Sequence, residues 1–373
     1  MERENEMKDF RLRNDTELLV RNEPVDDLIK RTAGKKVLFV YGGVSALGNG
    51  CYDDVKKAVS EGKGEFFELG NASRELADIE KGLELVRQQG IELVIGAGGA
   101  SIMDCTKLIA FGAFHENDLW DYVKGIKNPY GEKKLPLILI PTYPSSGSEY
   151  GLGAVSADKR TGDYGTAFGI PADTAILVPK YSLSLDAEMT AYTGLVTLVQ
   201  LSASTIGDKN PVTYDAGVSV IKNVLKAVKQ LKEHPDDLDA RGVILFGASI
   251  STSGRLGLGK EENYAYDIYE VEFIPEILFG ATYRKSLTTL FPGFLKAMAV
   301  YHQGDIQKYF KDVFGYDGDI SDSASRMREL FEQVGVDMYF HENVSKEAVS
   351  KIETASSLTL DDVYRILGEC TRA

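Results

Sequence analysis

The sequence predicts an α/β domain built on a mostly parallel sheet, followed by an all-helical domain. Three observations point there. Strand-like and helix-like segments alternate through the first half, the pattern turns helical after about Asp186, and 373 residues exceed the size at which a single core stops growing. The boundary falls near Ser182–Leu185, giving domains 1–183 and 184–373.

The elements follow in order. Short apolar, β-rich runs at Val37–Tyr41, Glu65–Leu69 and Glu92–Ile95 are separated by amphipathic helices near Asp53–Glu61 and Leu76–Gln89. That is βαβαβ order, the signature of a parallel sheet covered on both faces, and Leu137–Ile140 and Thr174–Val178 extend it. Loops are predicted at Asn128–Lys134, Thr142–Glu149 and Asp158–Thr166, all rich in Gly, Pro, Ser or charge. Helical periodicity then dominates at Val218–Lys232, Asp305–Phe314, Ser321–Val334 and Thr359–Leu367.

Composition narrows the partners. A formal charge of −14 repels nucleic-acid backbones and anionic membrane surfaces, so neither is an expected partner. An anionic small molecule can still bind where backbone N–H groups cluster at a helix N-terminus. The three cysteines, Cys51, Cys105 and Cys370, are too few and too scattered for a disulfide framework or a zinc cluster, and no apolar run approaches a membrane span. A cytoplasmic location is expected.

Three segments carry candidate chemistry. Gly96-Ala97-Gly98-Gly99-Ala100-Ser101 follows a strand and opens a helix, the setting of a phosphate-binding turn. Gly98 and Gly99 would let a pyrophosphate approach the backbone, Ser101 would cap the helix, and Asp104 would close a capping box; the alternative is a tight structural turn. Gly42, Gly43 and Ser45 lie after the first predicted strand, where open α/β sheets bind ligands, and there a nucleotide's adenosine end or a bare glycine turn fits equally. The hydroxyl-rich Pro141-Thr142-Tyr143-Pro144-Ser145-Ser146-Gly147-Ser148-Glu149 follows a further strand and reads either as a phosphate, ribose or nicotinamide contact or as a hydrogen-bonded loop.

Together these segments resemble the iron-containing alcohol dehydrogenase family, whose members carry GGGS-x-x-D-x-x-K, a PTTAGTGSE-like loop and TAATG-x-D-x-x-x-H in this order. Here they read Gly98 to Lys107, Pro141 to Glu149 and Thr190-Ala191-Tyr192-Thr193-Gly194, and the resemblance spans roughly Asp9 to Phe340. It implies a dehydroquinate synthase-like fold, with a dinucleotide-binding α/β domain and a helical domain. It also implies NAD or NADP as cofactor, a small alcohol or aldehyde as substrate, and a homodimer or larger homo-oligomer. By this resemblance Gly98, Gly99, Ser101 and Asp104 surround the pyrophosphate, while Thr142, Ser145 and Ser146 line the nicotinamide half. NAD is favoured over NADP because Gly43–Gly48 lacks the lysines that relatives preferring a 2′-phosphate often carry, although Tyr164 also departs from a ribose lysine.

The metal positions break the pattern. Where the family places Asp and His four residues apart, this chain has Val196 and Gln200, and the two later histidine positions align with about Asp267 and Tyr283. Of the four histidines, His115, His234, His302 and His341, only His234 lies between Thr190 and Tyr301, and it sits in a charged turn. No bound iron or zinc is expected. Tyr283 is the candidate proton donor if a cation lowers its pKa, and otherwise fills the volume of a lost imidazole. The acidic run Glu261, Glu262, Asp267, Glu270, Glu272 and Glu276 reads as a solvated face before a cation site. Three functions follow: an NAD(P)-dependent alcohol dehydrogenase or aldehyde reductase with a metal-free site, an inactive nucleotide-binding or regulatory homologue, or non-redox carbonyl chemistry in a cleft expected between the domains.

Overall fold

The structure, a computed structural model, describes residues 9–352 and 356–372. It divides into two compact units: an α/β unit of Arg13–Leu185 completed by Ala248–Ser253, and a helical unit of Asp186–Gly247 continued from Gly254 onward. A single cut near residue 183 therefore misses the short piece 248–253, which packs with the α/β unit.

In the α/β unit the strands are β1 (Glu17–Val20), β2 (Lys36–Tyr41), β3 (Glu65–Leu69), β4 (Leu93–Gly98), β5 (Leu137–Pro141), β6 (Gly153–Asp158), β7 (Asp163–Phe168) and β8 (Thr174–Leu177). Six form one sheet in the order β1-β8-β5-β4-β2-β3, and every pair in it is parallel. Helices α1 (Val25–Thr32), α2 (Val44–Gly48), α3 (Cys51–Glu61), α4 (Leu76–Gln89), α5 (Ala100–His115) and α6 (Leu119–Val123) connect them. The central strands β4 and β5 are buried along their whole length, as strands covered on both faces must be. One core gathers Leu38, Val94, Leu139 and the apolar side of α5, including Leu108 and Phe111, while the other gathers Val37, Phe39, Ile95 and Ile140 against Val55 and Val59 of α3.

Two departures from the sequence expectation are local. Asp158–Thr166, expected as a loop, contains the turn and most of the second strand of an antiparallel β6–β7 hairpin. In β7 only Ala167 is buried, so its side chains give no alternating apolar signal. The edge strand β1 and helix α1 were also absent from the sequence reading, β1 because four residues with two exposed ends carry little pattern.

The helical unit comprises α7 (Ala187–Thr205), α8 (Pro211–Glu233), α9 (Leu238–Ser251, whose last residues join the α/β unit), α10 (Ile268–Val271), α11 (Phe273–Phe279), α12 (Tyr283–Tyr309), α13 (Ile320–Gln333), α14 (Lys346–Val349) and α15 (Leu360–Glu369). Asp186 caps α7 by accepting from the Met189 N–H, and Asn210 caps α8 ahead of Pro211. Helix α7 is buried on nearly every side and runs through the centre of this unit. Helix α12 contains Pro292 and breaks helical geometry at His302, whose ring stacks on Tyr264 with centroids 3.6 Å apart. His302 is thus a packing residue at a kink.

Truncating a core side chain tests this packing. Leu38→Ala, at a fully buried site in β2, should cost about 2–5 kcal/mol of stability, read as a lower urea midpoint with an unchanged slope.

Candidate functional site

The carboxyl ends of β2, β4 and β5 lie side by side, and they bring four of the sequence candidates together, Gly42, Gly98, Gly99 and Thr142. At the end of β4, Gly99 occupies the cap position of α5 and supplies no side chain to it. A Cβ built on Gly99 would lie 2.1 Å from the Tyr143 hydroxyl oxygen, so a side chain there would require Tyr143 to move. Gly42, after β2, lies within 3.4 Å of Ile102 in the first turn of α5 when given a Cβ. Thr142, after β5, donates its N–H to the Gly98 carbonyl at 3.1 Å. Its hydroxyl is buried and has no hydrogen-bond partner among the described residues. A buried hydroxyl left unbonded costs free energy, which a polar ligand would recover.

The remaining candidates are placed differently. Gly43 and Ser45 are exposed at the start of α2. Ser145 is half-buried, and Ser146 accepts from the Ser148 N–H at 3.3 Å, which makes it part of the loop's own turn. Ser101 and Asp104 form no capping box. Because Gly99 is the cap, Ser101 falls one residue inside the helix, where its oxygen accepts from the Arg74 N–H at 2.9 Å, and Asp104 falls a full turn along.

Asp104 instead belongs to a buried network that the sequence reading did not assemble. It accepts from the Ser148 hydroxyl at 2.6 Å, and Lys107 donates to Ser148 at 3.1 Å and to the carbonyls of Gly151 and Gly153 at 2.9 and 2.8 Å. Burial pushes the Lys107 ammonium down to about 8 and the Asp104 carboxyl up, with each opposite charge partly offsetting the other's shift. Glu149 is likewise pushed up by burial and accepts from Ser249 at 2.6 Å, one of the contacts that bind the 248–253 piece into this unit. The D-x-x-K spacing contained Asp104 and Lys107, but nothing in it announced Ser249.

In the helical unit, Val196 and Gln200 lie one turn apart on α7, both buried. The Gln200 amide approaches the Tyr283 hydroxyl at 3.5 Å, a long and weak contact, where α12 begins. Asp267 does not join them. Its carboxylate accepts from the Ser357 N–H at 2.7 Å and from the Ser357 hydroxyl, holding that later segment. Tyr269, half-buried, lies within electrostatic reach of the Tyr283 phenol, and its ring stacks on Tyr266 at 6.1 Å.

A sequence model described as iron-containing alcohol dehydrogenase matches residues 21–179. Over that span the chain is similar to the iron-containing alcohol dehydrogenases. NADH-dependent butanol dehydrogenase A of Clostridium acetobutylicum is 26% identical over 321 residues, covering 81% of this chain and 80% of that protein. The NADPH-dependent aldehyde reductase YqhD of Escherichia coli is 27% identical over 355 residues, 88% of each. Among solved structures, an NADH-dependent butanol dehydrogenase A from Thermotoga maritima superposes with a TM-score of 0.86 over 98% of this chain and 99% of its own, at 23% identity, which establishes the fold.

The donor set of this iron-containing alcohol dehydrogenase relative does not fit the family's ion. Val196 offers no donor atom, Gln200 only a neutral amide, and Tyr283 a phenol that burial pushes well above its ordinary value. Glu272 and Glu276 push it further up, and the Gln200 contact draws it down. The acidic run is not a uniformly solvated face, since Glu272 is only 1% exposed. The residues that would hold a nicotinamide dinucleotide are Gly98, Gly99 and Thr142, with the Tyr143 hydroxyl lying over the Gly99 face and the Thr142 hydroxyl unbonded.

Two measurements test the buried ammonium groups. Lys107→Met would strand Asp104 without its counter-ion and two carbonyls without their donor, and should cost about 3–5 kcal/mol in urea unfolding. Lys260, in the helical unit, is pushed down to about 8 by burial from an ordinary 10.5. A lysine that holds its proton less tightly when folded takes one up on unfolding between those values, so stability rises as pH climbs through that window. Lys260→Met should flatten the rise between about pH 8 and about pH 10, followed by thermal melting at each pH.

Proposed function

We propose that this chain is a nicotinamide-dependent oxidoreductase of small alcohols and aldehydes in which Tyr283 takes the part played by a metal in its relatives. The observation that carries the cofactor half is the Gly99 cradle beside the unbonded hydroxyl of Thr142. The relatives named as NADH-dependent and NADPH-dependent enzymes support the same half, and NAD is the cofactor favoured because Gly43–Gly48 holds no cationic side chain for a 2′-phosphate. With the cofactor bound, the chemistry supplied is transfer of a hydride to or from a substrate carbon.

The chain's own residues must then manage the oxygen. A carbonyl gaining hydride develops negative charge at oxygen, and a donor aimed there stabilises it without metal. Tyr283 remains protonated across the physiological range because burial and the nearby carboxylates raise its pKa, so it can hydrogen-bond the carbonyl and release its proton as the alkoxide forms. The Gln200 amide, pointing at the phenolic oxygen, favours the phenolate left behind. Binding energy at Gly98, Gly99 and Thr142 orients the dinucleotide. A homodimer or larger assembly in the cytoplasm completes this reading, in keeping with three buried, unpaired cysteines.

Val196 favours a second reading, since an apolar side chain buried at a ligand position can neither coordinate nor transfer a proton. Under it the chain binds a nucleotide without turning it over. Calorimetric titration of metal-analysed protein with NADH and NADPH, followed by aldehyde reduction on the same sample, separates the two. Turnover that survives EDTA and falls roughly 10²–10⁴-fold in kcat in Tyr283→Phe, with KM little changed, is the expected result. Binding without turnover selects the regulatory homologue.

A further inference from the structure

The phosphate turn is already filled by an oxygen of the chain itself. A Cβ on Gly99 would stand 2.1 Å from the Tyr143 hydroxyl oxygen and 2.5 Å from the ring carbon that bears it, so this phenol lies directly over the glycine face. That face caps α5, a helix of 16 residues whose N-terminus carries a partial positive charge and receives no side-chain cap. An oxygen with partial negative charge is what such an end attracts. The neighbouring Thr142 leaves its buried hydroxyl unbonded at the same turn, a second sign that a polar ligand completes it.

We propose that Tyr143 is a displaceable plug of the dinucleotide's diphosphate site: its phenolic oxygen holds the place of a phosphate oxygen over Gly99 and leaves it when the cofactor binds. This rests on the dinucleotide reading above. The ring is half-buried, so part of it already faces solvent. Binding then draws on the fraction of molecules with the ring displaced, and the apparent affinity is reduced by that fraction. Tyr143 is a positioning residue here. It touches no reacting atom, and it sets how readily the turn accepts an anion.

The test is equilibrium and stopped-flow binding of NADH to the full chain and to Tyr143→Thr and Tyr143→Phe, with calorimetry for affinity and nucleotide fluorescence for rate. Tyr143→Thr should bind roughly tenfold tighter, and Tyr143→Phe, which keeps the ring's packing but loses the oxygen, about threefold tighter. The wild-type association rate should level off with rising NADH as ring departure becomes limiting, and that of Tyr143→Thr should stay linear. Wild-type binding that is unchanged or weakened in both variants overturns the plug while leaving the cofactor reading intact. Absence of NADH and NADPH binding in all three proteins overturns both.

Discussion

An ammonium group shut away from water organises the α/β unit. Lys107 spends its three N–H bonds on Ser148, Gly151 and Gly153, while Asp104, nearly one turn earlier on α5, accepts a hydrogen bond from the Ser148 hydroxyl. Helix α5 is thereby fastened to the loop that follows β5 and to the first residue of β6. Removing such charges from water is expensive, and the expense is offset only because every donor finds an acceptor and the opposite charge lies close by. The polar atoms offered to a ligand, at Gly98, Gly99 and Thr142, sit at the N-terminal end of that same helix and at the start of that same loop. Their spacing is held by the clasp beneath them and does not have to be assembled by the ligand.

The fold was legible wherever apolar residues ran unbroken. Strands β2, β4, β5 and β8 are short, fully or mostly buried runs, and parallel sheets write themselves into sequence in that form. Parts with mixed exposure were not legible. β7 exposes most of its side chains, β1 is a four-residue edge, and both depend on partners distant in the chain. The glycine turn was readable as a strand-to-helix junction, yet its capping was misassigned because the cap is Gly99, a residue with nothing to recognise, and the polar residues after it were free for other bonds. Asp267 failed for a related reason. A short aspartate at the head of a helix was drawn to the backbone and hydroxyl of Ser357.

The helical unit shows what happens to a buried polar pocket when its ion-binding residues change character. Where a cation would need carboxylate and imidazole, this chain presents an alkyl group, an amide and phenols. These groups are neutral across the physiological range, while the carboxylates of Glu272 and Glu276 act on the Tyr283 phenol from nearby. Dipoles stabilise developing charge less strongly than an ion does. They are, however, covalently part of the chain, and their orientation is fixed by packing against α7, α10 and α12.

The α/β unit is not written in one stretch of sequence. Gly147 holds a positive φ of 67°, and a Cβ there would come within 2.1 Å of the Ala248 carbonyl oxygen, while Glu149 depends on Ser249 for its buried hydrogen bond. A chain still emerging from the ribosome has the whole sheet by Leu185, but its glycine loop faces an unfilled groove and a carboxylate without its donor until residue 253 is made. The last act in building the nucleotide-side unit is therefore delayed until much of the helical sequence has been synthesised. An N-terminal fragment cut at the apparent domain boundary would keep its strands and lose the shape of the loop that gives them a purpose.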